Sequence, residues 1–306
     1  MAISSPPDSM MREHIARRAL QAGPLEAYRI FHGEIDGAPR NWAVDRFGHH
    51  LLLRVPNASA LVAHAGFVEA LLSAQSWAGV VVKIRDDHSS RWLQPGHEGE
   101  QILREGPARL SVRLQDGYQV GLFIEGRALR DAISRHGAPG EVLSLFSYTG
   151  SASVRAALQG ARLTSVDVSK KAHHWARRNF ELSGVQPDGH RWFADDASSF
   201  LARSRDDAFE TLILDPPAFG RAGRKTFKLE RSLPELMEQS LRIARRIYFS
   251  THHPKLTDNA LEQAWAEAAR RRGYDLRIVS IVNAFDLPEG GDDWGRYHRA
   301  MILERR

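Results

Sequence analysis

The chain of 306 residues contains no cysteine, and that absence removes disulfides, thiolate metal sites and any cysteine nucleophile from consideration. Lysine is also scarce. Of 42 basic residues only Lys83, Lys170, Lys171, Lys225, Lys228 and Lys255 are lysine, so nearly all the positive charge is arginine. Arginine binds phosphate bidentately and stacks on bases, which suits RNA, while an Arg- and Ala-rich chain equally reflects codon bias. The net charge of +5 permits an anionic partner without demanding one. No segment approaches the roughly 18 uninterrupted apolar residues of a membrane helix, and the opening "MAISSPPDSMMREHIARRAL" lacks the apolar centre of a signal peptide. These absences lead to the expectation of a cytoplasmic, soluble protein with no membrane partner. The adjacent histidines His252 and His253 point apart in an extended segment, and with no cysteine nearby no metal site is expected.

What is present is the grammar of two α/β regions. In the front third, extended runs over Asn41–Arg46 and Leu51–Val55 flank a turn, Ser59–Gln75 has helical spacing with Ser59 as its cap, and "GVVVKIR" is a strand. The runs "ARLSVRL" and "YQVGLFI" around "QDG" predict a linking hairpin over 107–126, which separates a small domain at 1–106 from a second domain at 127–306. From Glu141 strands and helices alternate: "EVLSLF", "RLTSVD", "HRWFAD", "TLILD" and "RIYFS" read as strands with helices between them. The last two strands, "LRIVSIVN" and "HRAMILER", have no helical pattern between them. Repeated βα units imply a parallel sheet covered on both faces, and a helix-free last connection implies an antiparallel terminal strand. That is the seven-stranded layout of a class I methyltransferase.

In such a sheet ligands bind beyond the carboxyl ends of the strands, so the residues after each strand carry the information. The first turn, "SYTGSAS", has Gly150 but neither GxGxxG nor the ExGxGxG common in methyltransferases, so a pyrophosphate would lack its amide cradle. Asp167 stands at the tip of the second strand, where a carboxylate can bind a ribose diol, and Ser169 is the expected cap of the next helix. Asp195 and Asp196 end the third strand. One can accept from an adenine amine and the other cap a helix, and we prefer Asp195 for adenine. After the fourth strand comes "LILDPPAFG". Asp215 is fixed by Pro216 and Pro217, whose nitrogens cannot donate, and Phe219 can stack on a planar base. The following "GRAGRK" reads as a basic loop. Acceptors at three strand tips fit S-adenosylmethionine better than a dinucleotide.

The stretches "LFSYTGSASV", "VDVSKKAHHWARRN", "DDASSFL" and "LILDPPAFG", with "YRIFHGEIDG" and "GLFIEGRALR" before them, resemble the bacterial 23S ribosomal RNA methyltransferases that act on cytosine C5 or guanine N7. The resemblance runs from about Arg12 to the C-terminus. It implies a class I S-adenosylmethionine-dependent methyltransferase fold with a smaller N-terminal α/β domain. The implied cofactor residues are Arg127, Phe146, Ser147, Tyr148, Thr149, Gly150, Asp167, Val168, Ser169, Asp195, Asp196 and Asp215. Asp215, Pro216, Pro217 and Phe219 are then catalytic, and Ser250, Thr251, His252, Arg221 and Lys225 line the substrate side. The expected partner is RNA, 23S rRNA or a large-subunit precursor, and the expected state a monomer or homodimer.

Three departures shape the reading. The cytosine C5 members carry an N-terminal PUA domain, and this chain begins where it would end. They keep a cysteine near Thr251, and C5 methylation needs a thiolate to add at cytosine C6, so this chain excludes that reaction. "FIEGR" replaces the more frequent Asp-Gln-Arg, keeping a charge at Glu125 and the arginine at Arg127 but no amide at Gly126. A nitrogen acceptor already has its lone pair and needs only orientation, so N-methylation, guanine N7-like, is the expected chemistry. A small-molecule methyltransferase and a non-catalytic RNA-binding factor remain as alternatives.

Overall fold

The computed structural model describes residues 8–23, 26–222, 225–253, 256–282 and 298–306. Two compact units emerge among the described residues, one within 8–106 with 111–124, the other within 107–110, 125–282 and 298–306. In the first, helix α1 (Asp8–Ala22) precedes strands β1 (Ala27–His32), β2 (Ala43–Phe47) and β3 (His50–Val55). Helices α2 (Ala58–Ala63) and α3 (Ala65–Ala74) then lead to β4 (Gly79–Ile84) and β5 (Ser90–Gln94). The strands form one sheet in chain order, antiparallel except for β3 beside β4, whose parallel pairing requires the α2–α3 crossover. Tyr28, Ile30, Val44, Leu51, Leu53, Val80 and Val82 pack on Met11, Ile15, Phe67 and Leu71 of the helices. The single helix expected over Ser59–Gln75 is broken at His64, and its cap is Asn57, whose side chain accepts from the Ala60 amide.

The linking hairpin is shifted. Strand β6 (Gln101–Glu105) pairs with β7 (Ala108–Val112), and residues 118–123 form no strand. Their alternation comes from burying Val120 and Leu122, with one ladder-like bond from Arg113 N–H to the Val120 carbonyl at 3.0 Å.

In the second unit, α4 (Arg127–His136) leads into β8 (Glu141–Leu145), α5 (Ser151–Ala157), β9 (Arg162–Asp167), α6 (Lys170–Leu182), β10 (Arg191–Ala194), α7 (Ala197–Arg203) and β11 (Phe209–Leu214). A short ribbon, β12 (Phe219–Ala222) with β13 (Lys225–Lys228), takes the place of the basic loop. Helix α8 (Leu229–Ile243), β14 (Ala244–His252), α9 (Asp258–Arg272), β15 (Leu276–Val282) and β16 (His298–Arg305) complete the unit. Asn283, the expected end of β15, lies outside the described residues. The sheet order is β10-β9-β8-β11-β14-β16-β15, with β16 antiparallel to both neighbours, as the helix-free last connection implies. Helix α8 starts one turn before Leu233 and carries Pro234 inside it, because Leu229, Leu233, Leu236 and Met237 make one continuous buried stripe. Helix α4 has no simple apolar period: its buried face includes Arg127 and Arg130 beside Ala128, Leu129 and Ile133.

The two faces of this sheet differ. Leu143, Leu145, Val166, Leu212, Leu214, Ile247 and Phe249 join α7, α8 and α9 in one apolar core. Side chains alternate along a strand, so Ser144, Ser165, Thr211, Tyr248 and Ser250 take the opposite face, toward the α4, α5 and α6 layer.

Candidate active site

The strand order reverses beside β8, and the carboxyl ends of β8, β9 and β11 with the end of β14 frame the place where a doubly wound sheet holds ligand. Alternation brings Asp167, Asp215 and Ser250 onto the polar face at three of those ends.

The turn after β8 is bent by backbone conformation. Phe146 and Tyr148 adopt φ of 54° and 47°, and Gly150 follows at 72°. Left-handed residues other than glycine cost roughly 1–2 kcal/mol each and persist only where surroundings enforce them. Here the Ser147 amide donates to the Val166 carbonyl at 3.2 Å and the Gly150 amide to the Ser147 carbonyl at 2.8 Å. The Tyr148 amide donates to Asp167 Oδ2 at 2.9 Å, and Asn179 Nδ2 donates to the carbonyl of buried Thr149 at 2.8 Å. Gly150 is needed for space as well as for φ, since a Cβ there would lie 2.9 Å from Ala176 Cβ. The Ser147 hydroxyl is buried with no hydrogen-bond partner among the described residues.

Asp167 is oriented by two amides: Oδ2 takes Tyr148 N–H and Oδ1 takes Ser169 N–H, each at 2.9 Å. Each oxygen keeps a second lone pair, so the carboxylate can still accept from a pair of hydroxyls. Ser169 caps α6 through the Ala172 amide at 3.1 Å. Val168 beside it is 48% exposed, an apolar patch at the lip of the site. His173 on α6 is buried, and its Nε2 lies 2.9 Å from the Phe193 carbonyl and 3.2 Å from that of Asp167, joining the ends of β9 and β10. The two aspartates after β10 separate cleanly. Asp196 caps α7, accepting from the Ser199 amide and hydroxyl at 2.9 Å each, which accounts for it without a ligand. Asp195 accepts from the Asp196 amide at 2.8 Å and pairs with Arg203.

At the end of β11, Asp215 Oδ1 accepts from the hydroxyl of buried Ser250 at 2.7 Å. Oδ2 makes no hydrogen bond among the described residues. The side chain is reachable by solvent, yet it lies deep among protein atoms. That desolvation raises its pKa, opposed by the Ser250 hydrogen bond and the charges of Arg130 and His252, and reinforced by Glu125. Arg130, on α4, is buried and was not legible as a site residue. It fits because Gly126 has no side chain: a Cβ there would come within 2.8 Å of Arg130 Nη1. Arg127, at the start of α4, is fully buried.

Pro216 is buried, while Pro217 and Phe219 are exposed, Phe219 by 53%. Thr251 does not line the site with Ser250. It points to the opposite face of β14 and is completely buried, whereas half-buried His252 shares the Ser250 face. His253 is buried, with Nε2 3.5 Å from Glu230 Oε1. Arg221 and Lys225 sit on the β12–β13 ribbon, paired in register with Thr226 and Ala222, and their side chains fall outside the described residues, as does Arg224. No cluster of metal-ligating side chains occurs among the described residues, and no helix there is long and apolar enough to cross a membrane.

The donor set suits S-adenosylmethionine: an oriented carboxylate for a diol, an apolar lip at Val168, an unsatisfied Ser147 hydroxyl and a glycine where side-chain bulk is excluded. Solved structures agree on the fold. A methyltransferase crystallised with S-adenosylhomocysteine superposes with a TM-score of 0.84 at 21% identity, covering 99% of this chain and 83% of that one. An S-adenosylmethionine-dependent methyltransferase from Agrobacterium tumefaciens gives 0.66 at 22% identity over 92% and 90% of the two chains. The tRNA m1G37 methyltransferase of M. jannaschii gives 0.59 at 15% identity over 97% and 78%. The model of one family, described as S-adenosylmethionine-dependent methyltransferase, matches residues 36–279. The chain belongs to that family, its cofactor is S-adenosylmethionine, and it is a methyltransferase.

Proposed function

We propose that the enzyme methylates a nitrogen of a base in RNA, with 23S rRNA or a large-subunit precursor as substrate and guanine N7 as the kind of acceptor. The observation that carries the reading is the Asp215 carboxylate, held on one oxygen by Ser250 and open on the other, in a chain with no cysteine to activate a ring carbon. The M. jannaschii relative acts on tRNA, which supports a nucleic-acid substrate for this fold.

Asp167 would hold the ribose hydroxyls of the cofactor and Asp195 its adenine amine, with Arg127, Phe146, Ser147 and Tyr148 around it. Bound there, the cofactor supplies an electrophilic methyl group on a sulfonium. The protein's part is orientation. Asp215 Oδ2 and the Pro216 carbonyl accept from the N–H edge of the base while Phe219 covers its face. As the N7 lone pair takes up the methyl group the ring becomes cationic, and the carboxylate hydrogen-bonded to its N–H edge stabilises that charge. Asp215 must be ionised to accept, and its pKa is raised. Activity should therefore fall on the acid side at a higher pH than an ordinary carboxylate would give.

Incubation with methyl-labelled S-adenosylmethionine and either rRNA or a small-metabolite extract, followed by nucleoside mass spectrometry, tests the proposal. Label in an N-methylated purine, lost in Asp215→Ala and in Asp167→Ala, is expected. Label only in the metabolite fraction, or on a base carbon, would overturn it.

A further inference from the structure

The first unit contains a half-open pocket of about 480 Å³, within the 300–1,000 Å³ range typical of small-ligand sites. Glu26, Arg46 and His49 line it with Tyr28, Leu103 and half-exposed Ile102. Arg46 is held in place before any ligand arrives. Its Nε donates to the Gly48 carbonyl at 2.5 Å and its Nη1 to the Tyr28 hydroxyl at 3.0 Å, with the guanidinium 5.6 Å from the Tyr28 ring centroid. Its Nη2 makes no hydrogen bond among the described residues. Glu26 is fixed as well: its carbonyl accepts from the Gly48 amide at 2.6 Å and its Oε2 from the Arg104 amide at 2.6 Å, which leaves Oε1 open.

Arg46 and Glu26 line the same pocket, yet no ion pair joins them. A donor fork and a carboxylate that line one pocket without pairing with each other match a flat ligand that presents acceptors on one edge and donors on another. Among RNA bases guanine does so in full, offering O6 and N7 to an arginine and N1–H with N2–H to a carboxylate. We propose that this pocket binds a guanine base of single-stranded RNA, so that the first unit reads part of the substrate. The proposal rests on the RNA reading above, but its first test does not depend on it.

That test is titration of the full chain with GMP, AMP and CMP, then with short single-stranded oligonucleotides with and without guanine, for wild type, Glu26→Gln and Arg46→Lys. Glu26→Gln keeps the backbone bonds around Gly48. Arg46→Lys keeps the charge but removes the planar fork. GMP and guanine-containing oligonucleotides should bind in preference to the others and weaken roughly tenfold in either variant, with the loss in methyl transfer falling on the KM for RNA. S-adenosylmethionine binding in each variant reports that the protein is folded. AMP binding as well as GMP, or wild-type RNA affinity in both variants, would overturn the assignment. GMP binding that weakens while the KM for RNA stays fixed would mean a free-nucleotide site and overturn the RNA role. If the wild type methylates no RNA, the RNA reading falls, whereas absence of GMP binding defeats the pocket alone.

Discussion

The two faces of the seven-stranded sheet share a backbone and differ in how many polar groups they bury. Toward α7, α8 and α9 the strands present Leu143, Leu145, Val166, Leu212, Leu214, Ile247 and Phe249, which close into a core with Trp265 and Met237. Toward α4 and α5 they present Ser144, Ser165, Thr211 and Tyr248, and the helices add buried Arg127, Arg130 and Arg155. Burying polar groups costs free energy unless they are hydrogen-bonded. The Ser165, Thr211 and Ser153 hydroxyls have no hydrogen-bond partner among the described residues. Val142, Leu163 and Ile213 are buried among these polar groups, so this face is mixed where the other is more apolar, and its strand ends carry Asp167, Asp215 and Ser250.

The comparison is broken most strongly at Asp215. Replacing it with alanine should lower methyl transfer by about 10²–10⁴-fold while leaving the fold intact, as circular dichroism and the melting curve would show. Asparagine makes the contrast sharper. Because the folded-state pKa of Asp215 is raised, its contribution to stability is fully present below the unfolded pKa and is lost as pH rises through the folded value. Asp215→Asn should therefore melt higher than wild type at neutral pH, with the gap closing in acid. A variant that is inactive and less stable at neutral pH would contradict this account.

On the opposite face, Leu143→Ala should cost about 2–5 kcal/mol in denaturant unfolding, because Leu143 is fully buried in the apolar cluster. The smallest effect belongs to Ser165, in register with Ser144 on the other face. Ser165→Ala removes a buried hydroxyl that lacks a partner, so its stability should stay within about 0.5 kcal/mol of wild type or rise. A loss comparable to that of Leu143→Ala would show that the polar face is packed as tightly as the other.

Much of this division is legible in the chain. From β8 to α9 the apolar strand runs and helical spacings mark each element except the β12–β13 ribbon to within a few residues, and the helix-free stretch before β16 fixes its direction. Asp167, Asp215 and Ser250 also share strand parity with the polar residues before them, so their common face can be read from alternation. Helix α4 could not be read this way, because arginines occupy positions that its packing buries. With it went Arg130, whose charge acts on Asp215. The choice between Asp195 and Asp196 needed the capping geometry. The false second strand of the linking hairpin arose because buried side chains can alternate without a ladder to pair with. The bend after β8 was hidden most completely, since Phe146 and Tyr148 are not residues that announce left-handed backbone.

That bend bears on how ligand binding divides between heat and entropy. Its shape is enforced by Val166, Asp167 and Asn179, so the conformational freedom that a floppy loop would surrender on capture has already been surrendered during folding. Binding to such a rigid cradle loses little loop entropy. Affinity differences among cofactor, product and inhibitors should then be set by how fast each one leaves, not by how often the loop finds its closed form.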